Sequence, residues 1–193
     1  MRARVFLLML VCALFGSRPS VAQHDLTLAA PPPGPSQFDF LLGEWTVDVT
    51  SKAPNTPPRY KGVWQAWKTL NGLGIIDEYS VRDDSDRVVY SGTTLRAFDI
   101  HSGTWTMRYV DQFAGQTGRW SELVGTKEGA EMHVEQRGRT PDGRTTILKI
   151  RYFGIQPNHF SWSADQSGDD GVTWVREYLR IEATRRVATP ARQ

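Results

Sequence analysis

Cysteine is almost missing from this chain: its single copy, Cys12, lies inside an apolar N-terminal run. That run, VFLLMLVCALF (Val5 to Phe15), follows a basic start containing Arg2 and Arg4 and precedes the small residues Ser20-Val21-Ala22. At about eleven residues it is too short to cross a bilayer and reads as a secretory signal over residues 1–22. Cys12 is too early in the signal, and lacks the preceding small residue, for lipoprotein cleavage. Without the signal no cysteine remains, which excludes disulfides, thiolate catalysis and zinc–thiolate sites. The expectation is a periplasmic or secreted protein with no stable membrane insertion.

Excess charge is absent too. The formal net charge is +2, and losing Arg2, Arg4 and Arg18 with the signal brings it to about −1. That balance gives no footprint for nucleic acid or an anionic membrane. Residues 184–193, with Arg185, Arg186 and Arg192, read as a solvated, disordered tail. The four histidines are scattered: His24 precedes the domain, His101 sits in a turn, and His133 and His159 stand alone on separate strands. No second ligand lies at metal-binding spacing. The acidic turns DDSDR and DQSGDDG do not make calcium loops, since a loop counted from Asp165 puts Arg176 where a bidentate glutamate belongs. No nucleophile elbow is present either, because Ser91 falls in mid-strand.

A helical apolar stripe is likewise lacking between Phe38 and Ile181. What is there is a succession of short segments rich in Val, Ile, Thr, Tyr and Trp, recurring roughly every ten to fifteen residues. They are Trp45–Ser51, Tyr60–Leu70, Ile75–Arg82, Val88–Asp99, Thr104–Asp111, Arg119–Lys127, Glu131–Arg139, Arg144–Gly154, His159–Asp165 and Thr173–Ala183. Turn chemistry separates them, notably at Asn71-Gly72, His101-Ser102-Gly103, Pro141-Asp142-Gly143 and Asp169-Asp170-Gly171. Residues 23–37 form a Pro/Ala-rich flexible leader, and 38–183 form one domain. About 145 residues suffice for a core that buries roughly 68–70% of the unfolded surface. A meander of about ten strands without covering helices removes its edges by closing into an up-and-down antiparallel β-barrel; a two-sheet sandwich is the alternative.

Period-2 alternation marks one buried face. Trp105, Met107 and Tyr109 oppose Thr104, Thr106 and Arg108, while Phe160, Trp162 and Ala164 oppose His159, Ser161 and Ser163. In the third strand Ile76-Glu78-Ser80 opposes Ile75-Asp77-Tyr79-Val81, so charge falls on either face.

The opening FDFLLGEWTVDV (Phe38 to Val49) places a short helical plug before Gly43-x-Trp45. This resembles the G-x-W opening of calycins, the lipocalin and fatty-acid-binding barrels. The resemblance implies that Trp45 packs on a basic residue of the last strand, with Arg176 or Arg180 as the counterpart. Together FDFLLGEW, DEYS, GTTLRAFD, GTW…YVD and DGVTW look like a lipocalin-like family of exported bacterial proteins of unknown function. Nitrobindin-type haem barrels open similarly, but their haem-ligating histidine lies near the chain end. The last strand here, TWVREYLRIEA, has none, so haem is disfavoured and no cofactor is expected.

Candidate ligand-binding residues are Glu78 and Arg96 as polar anchors, with Trp64, Tyr109 and Trp162 as walls. An inward Glu78–Arg96 pair would orient a ligand or support acid–base chemistry; an outward pair would be a surface contact. The leading expectation is a barrel holding a small apolar or aromatic molecule in its lumen. An isomerase- or cyclase-type enzyme in the same cavity, or a structural or envelope-interaction protein with a filled core, are the alternatives. Oligomeric state has no sequence signal. SGDDGVTW (Ser167 to Trp174) matches the Asp-box of sialidase propellers, but one copy in so short a domain reads as turn physics. Asp169 would accept loop N–H groups, Gly171 would take positive φ, and Trp174 would tuck beneath the turn.

Overall fold

The computed structural model describes residues 34–54, 56–113, 116–118, 120–139 and 143–186. The expected signal, the leader as far as residue 33, the turn residues Pro141 and Asp142, and the tail from residue 187 lie outside the described residues. Eleven strands follow one another: β1 (Gly43–Ser51), β2 (Arg59–Thr69), β3 (Gly74–Arg82), β4 (Val88–Asp99), β5 (Thr104–Phe113), β6 (Gln116–Thr117), β7 (Ser121–Glu128), β8 (Glu131–Arg139), β9 (Thr145–Gln156), β10 (His159–Ser167) and β11 (Val175–Arg185). Every pairing is antiparallel, and β1 pairs with both β2 and β11 while β4 pairs with β5. Those pairings close a ten-stranded ring, with the two-residue β6 as a side branch on β5. Closure, not a sandwich, is how this meander disposes of its edges.

Alternation decides what enters the barrel. Trp45, Val47 and Val49 of β1 are buried, as are Trp64 and Ala66 of β2 and Trp105 and Met107 of β5. The tryptophans are not all core, however. Trp67 is 48% exposed on the outer face, and Trp120, just before β7, is 67% exposed. β7 begins at Ser121, and Arg119, where its composition suggests a start, lies outside the described residues.

One end of the barrel is solid. The chain makes a single 3-10 turn at Asp39–Leu41 before β1, and Phe38 and Leu41 are fully buried there. Phe38 meets Trp105 and Tyr152 edge-on at 5.1 and 5.5 Å, and Trp45 meets Phe160 at 4.8 Å. Such edge-to-face pairs add about 0.5–1.5 kcal/mol each beyond burial. The last leader residues pack against this end, with Gln37 accepting a hydrogen bond from Trp105 Nε1 at 3.1 Å.

The cation over Trp45 is Arg185, not Arg176 or Arg180. Its guanidinium lies 4.0 Å from the indole centre and donates to the carbonyls of Leu42, Phe40 and Pro157 at 2.6, 3.3 and 2.7 Å. Register and parity explain the correction. Trp45 pairs with Arg185, which shares a face with Ile181 and Ala183, whereas Arg180 points outward to Glu177 and Glu182. Arg176 pairs with Asp165 on the outer wall. Arg185 therefore belongs to the barrel instead of a solvated tail. Gly43 is required beneath it: its φ is +101°, and a methyl group there would lie 2.8 Å from the guanidinium.

SGDDGVTW forms the β10–β11 turn. Asp169 Oδ1 accepts from Thr173 N and from Ser167 Oγ, both at 2.8 Å, and Thr173 Oγ1 donates to Oδ2 at 2.6 Å. Gly171 has φ of +90°, and Trp174 Nε1 donates to its carbonyl at 3.0 Å. The Thr173 hydroxyl and N–H, with Ser167, hold the Asp169 carboxyl down to about 2. A carboxylate whose folded value is depressed stabilises the fold above its unfolded value and loses that effect as pH falls through the folded one. Asp169→Ala should therefore lower the melting temperature at neutral pH, and the deficit should close as pH drops from about 4 to about 2. Replacing Arg185 with Met keeps the stem but strands three carbonyls and the indole face, and should cost about 1–3 kcal/mol in urea unfolding.

Candidate functional site

The five residues expected to line a ligand cavity do not converge. Trp64, Arg96 and Trp162 lie in the solid half, each 9% exposed or less, and Tyr109 lies towards the other end. Glu78 is exposed on the outer face, so it does not pair with Arg96. Its neighbour Asp77 takes the inward position at 1% exposure, and its Oδ2 receives Arg96 Nε at 2.6 Å. Two acids in succession left the face of β3 undecided in the sequence. The register settles it, because Asp77, like Tyr79, shares the inner face of Trp64.

Around this ion pair the polar groups are satisfied. Trp64 Nε1 donates to Asp77 Oδ1 at 3.0 Å, and Arg96 donates to the Tyr152 hydroxyl and to Met107 Sδ, both at 3.2 Å. The Phe38 ring covers the guanidinium at 4.8 Å. Burial pulls Arg96 towards neutrality, but Asp77 and the Tyr152 oxygen outweigh it, and the net direction is upward. The pair is thus a charged but sealed element of the core and offers nothing to a ligand.

Tyrosines gather at the opposite end. Five of the chain's six tyrosines, Tyr60, Tyr79, Tyr90, Tyr109 and Tyr178, are half-buried there. Tyr90 and Tyr109 touch hydroxyl to hydroxyl, and each donates towards Asp111 Oδ2 at 3.4 Å. The Tyr79 and Tyr90 rings stand 5.7 Å apart, tilted by 58°. The Tyr79 hydroxyl faces that of Tyr60 yet makes no well-formed hydrogen bond, although its oxygen is buried. Gly92 makes room for this arrangement: a methyl group there would lie 2.5 Å from the Tyr109 oxygen. Burial pushes all five phenols above their ordinary range, so they stay neutral and protonated. Only Tyr109 of this group was a sequence candidate. Tyr60, Tyr79 and Tyr90 share the parity of the inward residues of their strands, whereas Tyr178 has the parity of the outward Arg180, and nothing local says that they share one end.

The outer wall of β8–β11 bears a groove of about 350 Å³ lined by His133, Lys149, Arg151, Ser163, Asp165 and Arg176. Its charges are already engaged. Arg176 pairs with Asp165, Lys149 lies over Trp174 at 4.5 Å, and Arg151 lies over Phe153 at 4.5 Å. His133 and His159 sit on the outer face beside Glu131 and Glu182. Among the described residues no three His, Cys, Asp or Glu side chains gather into a metal-binding group.

The fold and interior define a closed ten-stranded antiparallel barrel, filled at one end and tyrosine-lined at the other. Neither a family model nor a curated protein matches the chain. Among solved structures it is similar to the crystal structure of Rv2717c from M. tuberculosis, with a TM-score of 0.55 and 16% identity over 81% of this chain and 99% of that one. That neighbour is likewise a ten-stranded antiparallel barrel. At this identity the likeness concerns the fold alone.

Breaking the buried ion pair from one side leaves an uncompensated charge. Asp77→Leu and Arg96→Met should each cost about 3–5 kcal/mol, while the double replacement should recover much of the loss. Urea unfolding of the three variants measures this directly.

Proposed function

We propose that this is an exported barrel that binds a small molecule of aromatic character at its tyrosine-lined end. Export rests on the Val5–Phe15 apolar run and the Ser20-Val21-Ala22 site. The observation that carries the binding reading is the concentration of half-buried phenols at one end, two of them bonded to Asp111, opposite an end closed by fully buried Phe38, Trp45 and Trp105. Aromatic walls with a few convergent polar groups are what a small-molecule site requires. The molecule is held at the mouth, because aromatic side chains and the Asp77–Arg96 pair fill the deeper lumen. Glu78 faces solvent and burial raises the phenols, which favours binding over acid–base turnover.

A second reading, an envelope-interaction protein without a ligand, is favoured by the same filled half. Native mass spectrometry of protein recovered from its exporting cell separates the two. A co-purifying small molecule, lost in Tyr109→Leu and retained in Trp67→Leu, supports the binder. At about 100 times Kd such a ligand should add about 2.7 kcal/mol of stability, or ~5–10 °C in melting temperature. A ligand-free protein whose melting temperature no aromatic compound moves would leave the envelope-interaction reading standing.

A further inference from the structure

The tyrosine-lined end sets one carboxylate beside phenol oxygens and ring faces, and this specifies the ligand further; the inference rests on the binding reading above. Among the described strand residues, Asp111 is the charged side chain turned inward there. The neighbouring basic residues look elsewhere. Arg108 pairs with Glu122 at 2.7 Å and Arg137 with Glu135 at 2.7 Å, all on the outer face, and Arg82 reaches Asp86 Oδ1 at 3.6 Å in the β3–β4 turn. Arg144 precedes β9 and is exposed.

Each phenol brings one proton and two lone pairs. The protons of Tyr90 and Tyr109 are directed at Asp111 Oδ2 or at each other, which leaves their oxygens with lone pairs to accept a further donor. The buried Tyr79 hydroxyl makes no well-formed hydrogen bond, so its oxygen can accept and its proton can donate. The faces of Tyr79 and Tyr90, tilted by 58° to each other, add the negative side of two ring quadrupoles. A carboxylate, a set of acceptor oxygens and two tilted aromatic faces are the components that bind an ammonium group. An anionic ligand would meet the Asp111 carboxylate, and among the described strand residues no cation turns inward beside it.

We infer that the barrel mouth is an ammonium-recognising site, and that its ligand is a small amine joined to an aromatic or apolar body. The ammonium lies against Asp111 among the Tyr79, Tyr90 and Tyr109 hydroxyls, and the body projects towards Tyr60 and Tyr178 at the rim.

The test is calorimetric titration of the full exported protein at neutral pH with three probes of one shape: 2-phenylethylamine, 2-phenylethanol and 3-phenylpropionate. The amine should bind at least about tenfold more tightly than the alcohol, and the carboxylate more weakly than either. Asp111→Asn should abolish the preference for amine over alcohol while leaving alcohol binding intact. Asp111→Ser, which removes bulk as well as charge, provides a second neutral replacement should Asn not fold. If alcohol and amine bind equally and both respond to Tyr109→Leu, the ammonium inference fails and the binding site stands. An amine preference that survives both Asp111 replacements also overturns it. If none of the probes binds, the site and the inference fall together.

Discussion

The buried pair of Asp77 and Arg96 governs how the interior of this barrel is used. A ten-stranded barrel encloses more space than an eight-stranded one, which side chains just fill. Here that extra volume in one half is taken up by a guanidinium, a carboxylate and the rings that satisfy or cover them. Removing two charges from water is costly, and the cost is met because Trp64, Tyr152 and Met107 complete the hydrogen bonds and Phe38 covers the guanidinium. Once the pair is in place, the deep lumen of that half is closed, and half-buried tyrosines line only the far end.

The seal at the terminus of that half works by a separate device. Gly43, Trp45 and Arg185 lock the first strand to the last: a left-handed glycine, an indole and a guanidinium that stitches three carbonyls. The guanidinium stack and the ion pair therefore consolidate the same end. The tyrosine-lined end has neither, and its inward side chains keep partial access to solvent. Phenols take the inner positions of that end, two of them bonded to Asp111, where apolar side chains would fill the space without buried oxygens to satisfy.

Much of the architecture was legible in the chain. Two of the ten expected strands, Val88–Asp99 and Glu131–Arg139, match their observed bounds, and the rest differ by one or two residues at one or both ends. That success has a simple cause, since turn residues and period-2 alternation are local properties. The turn at Asn71-Gly72 has positive φ at both residues, and Asp169 holds its hairpin through its own neighbours. The site was read less well. Trp64, Arg96 and Trp162 are core, Glu78 is outside, Arg185 stands where Arg180 was expected, and of the tyrosine group only Tyr109 had been singled out.

The misses come from what alternation leaves open. Alternation says that two residues lie on opposite faces, but in a stretch such as Asp77-Glu78 it does not say which face is inner. That is decided across strands, where Asp77 meets Thr94 and the inner face of β3 is fixed by Trp64 opposite Tyr79. Nor does a strand carry any record of which end of the barrel is closed. By itself the sequence determined the strands, their turns and an all-β meander, because those follow from neighbours along the chain. Only the tertiary structure decided which charge is buried, which cation covers Trp45 and where five tyrosines meet, because register and closure join residues that local pattern leaves independent.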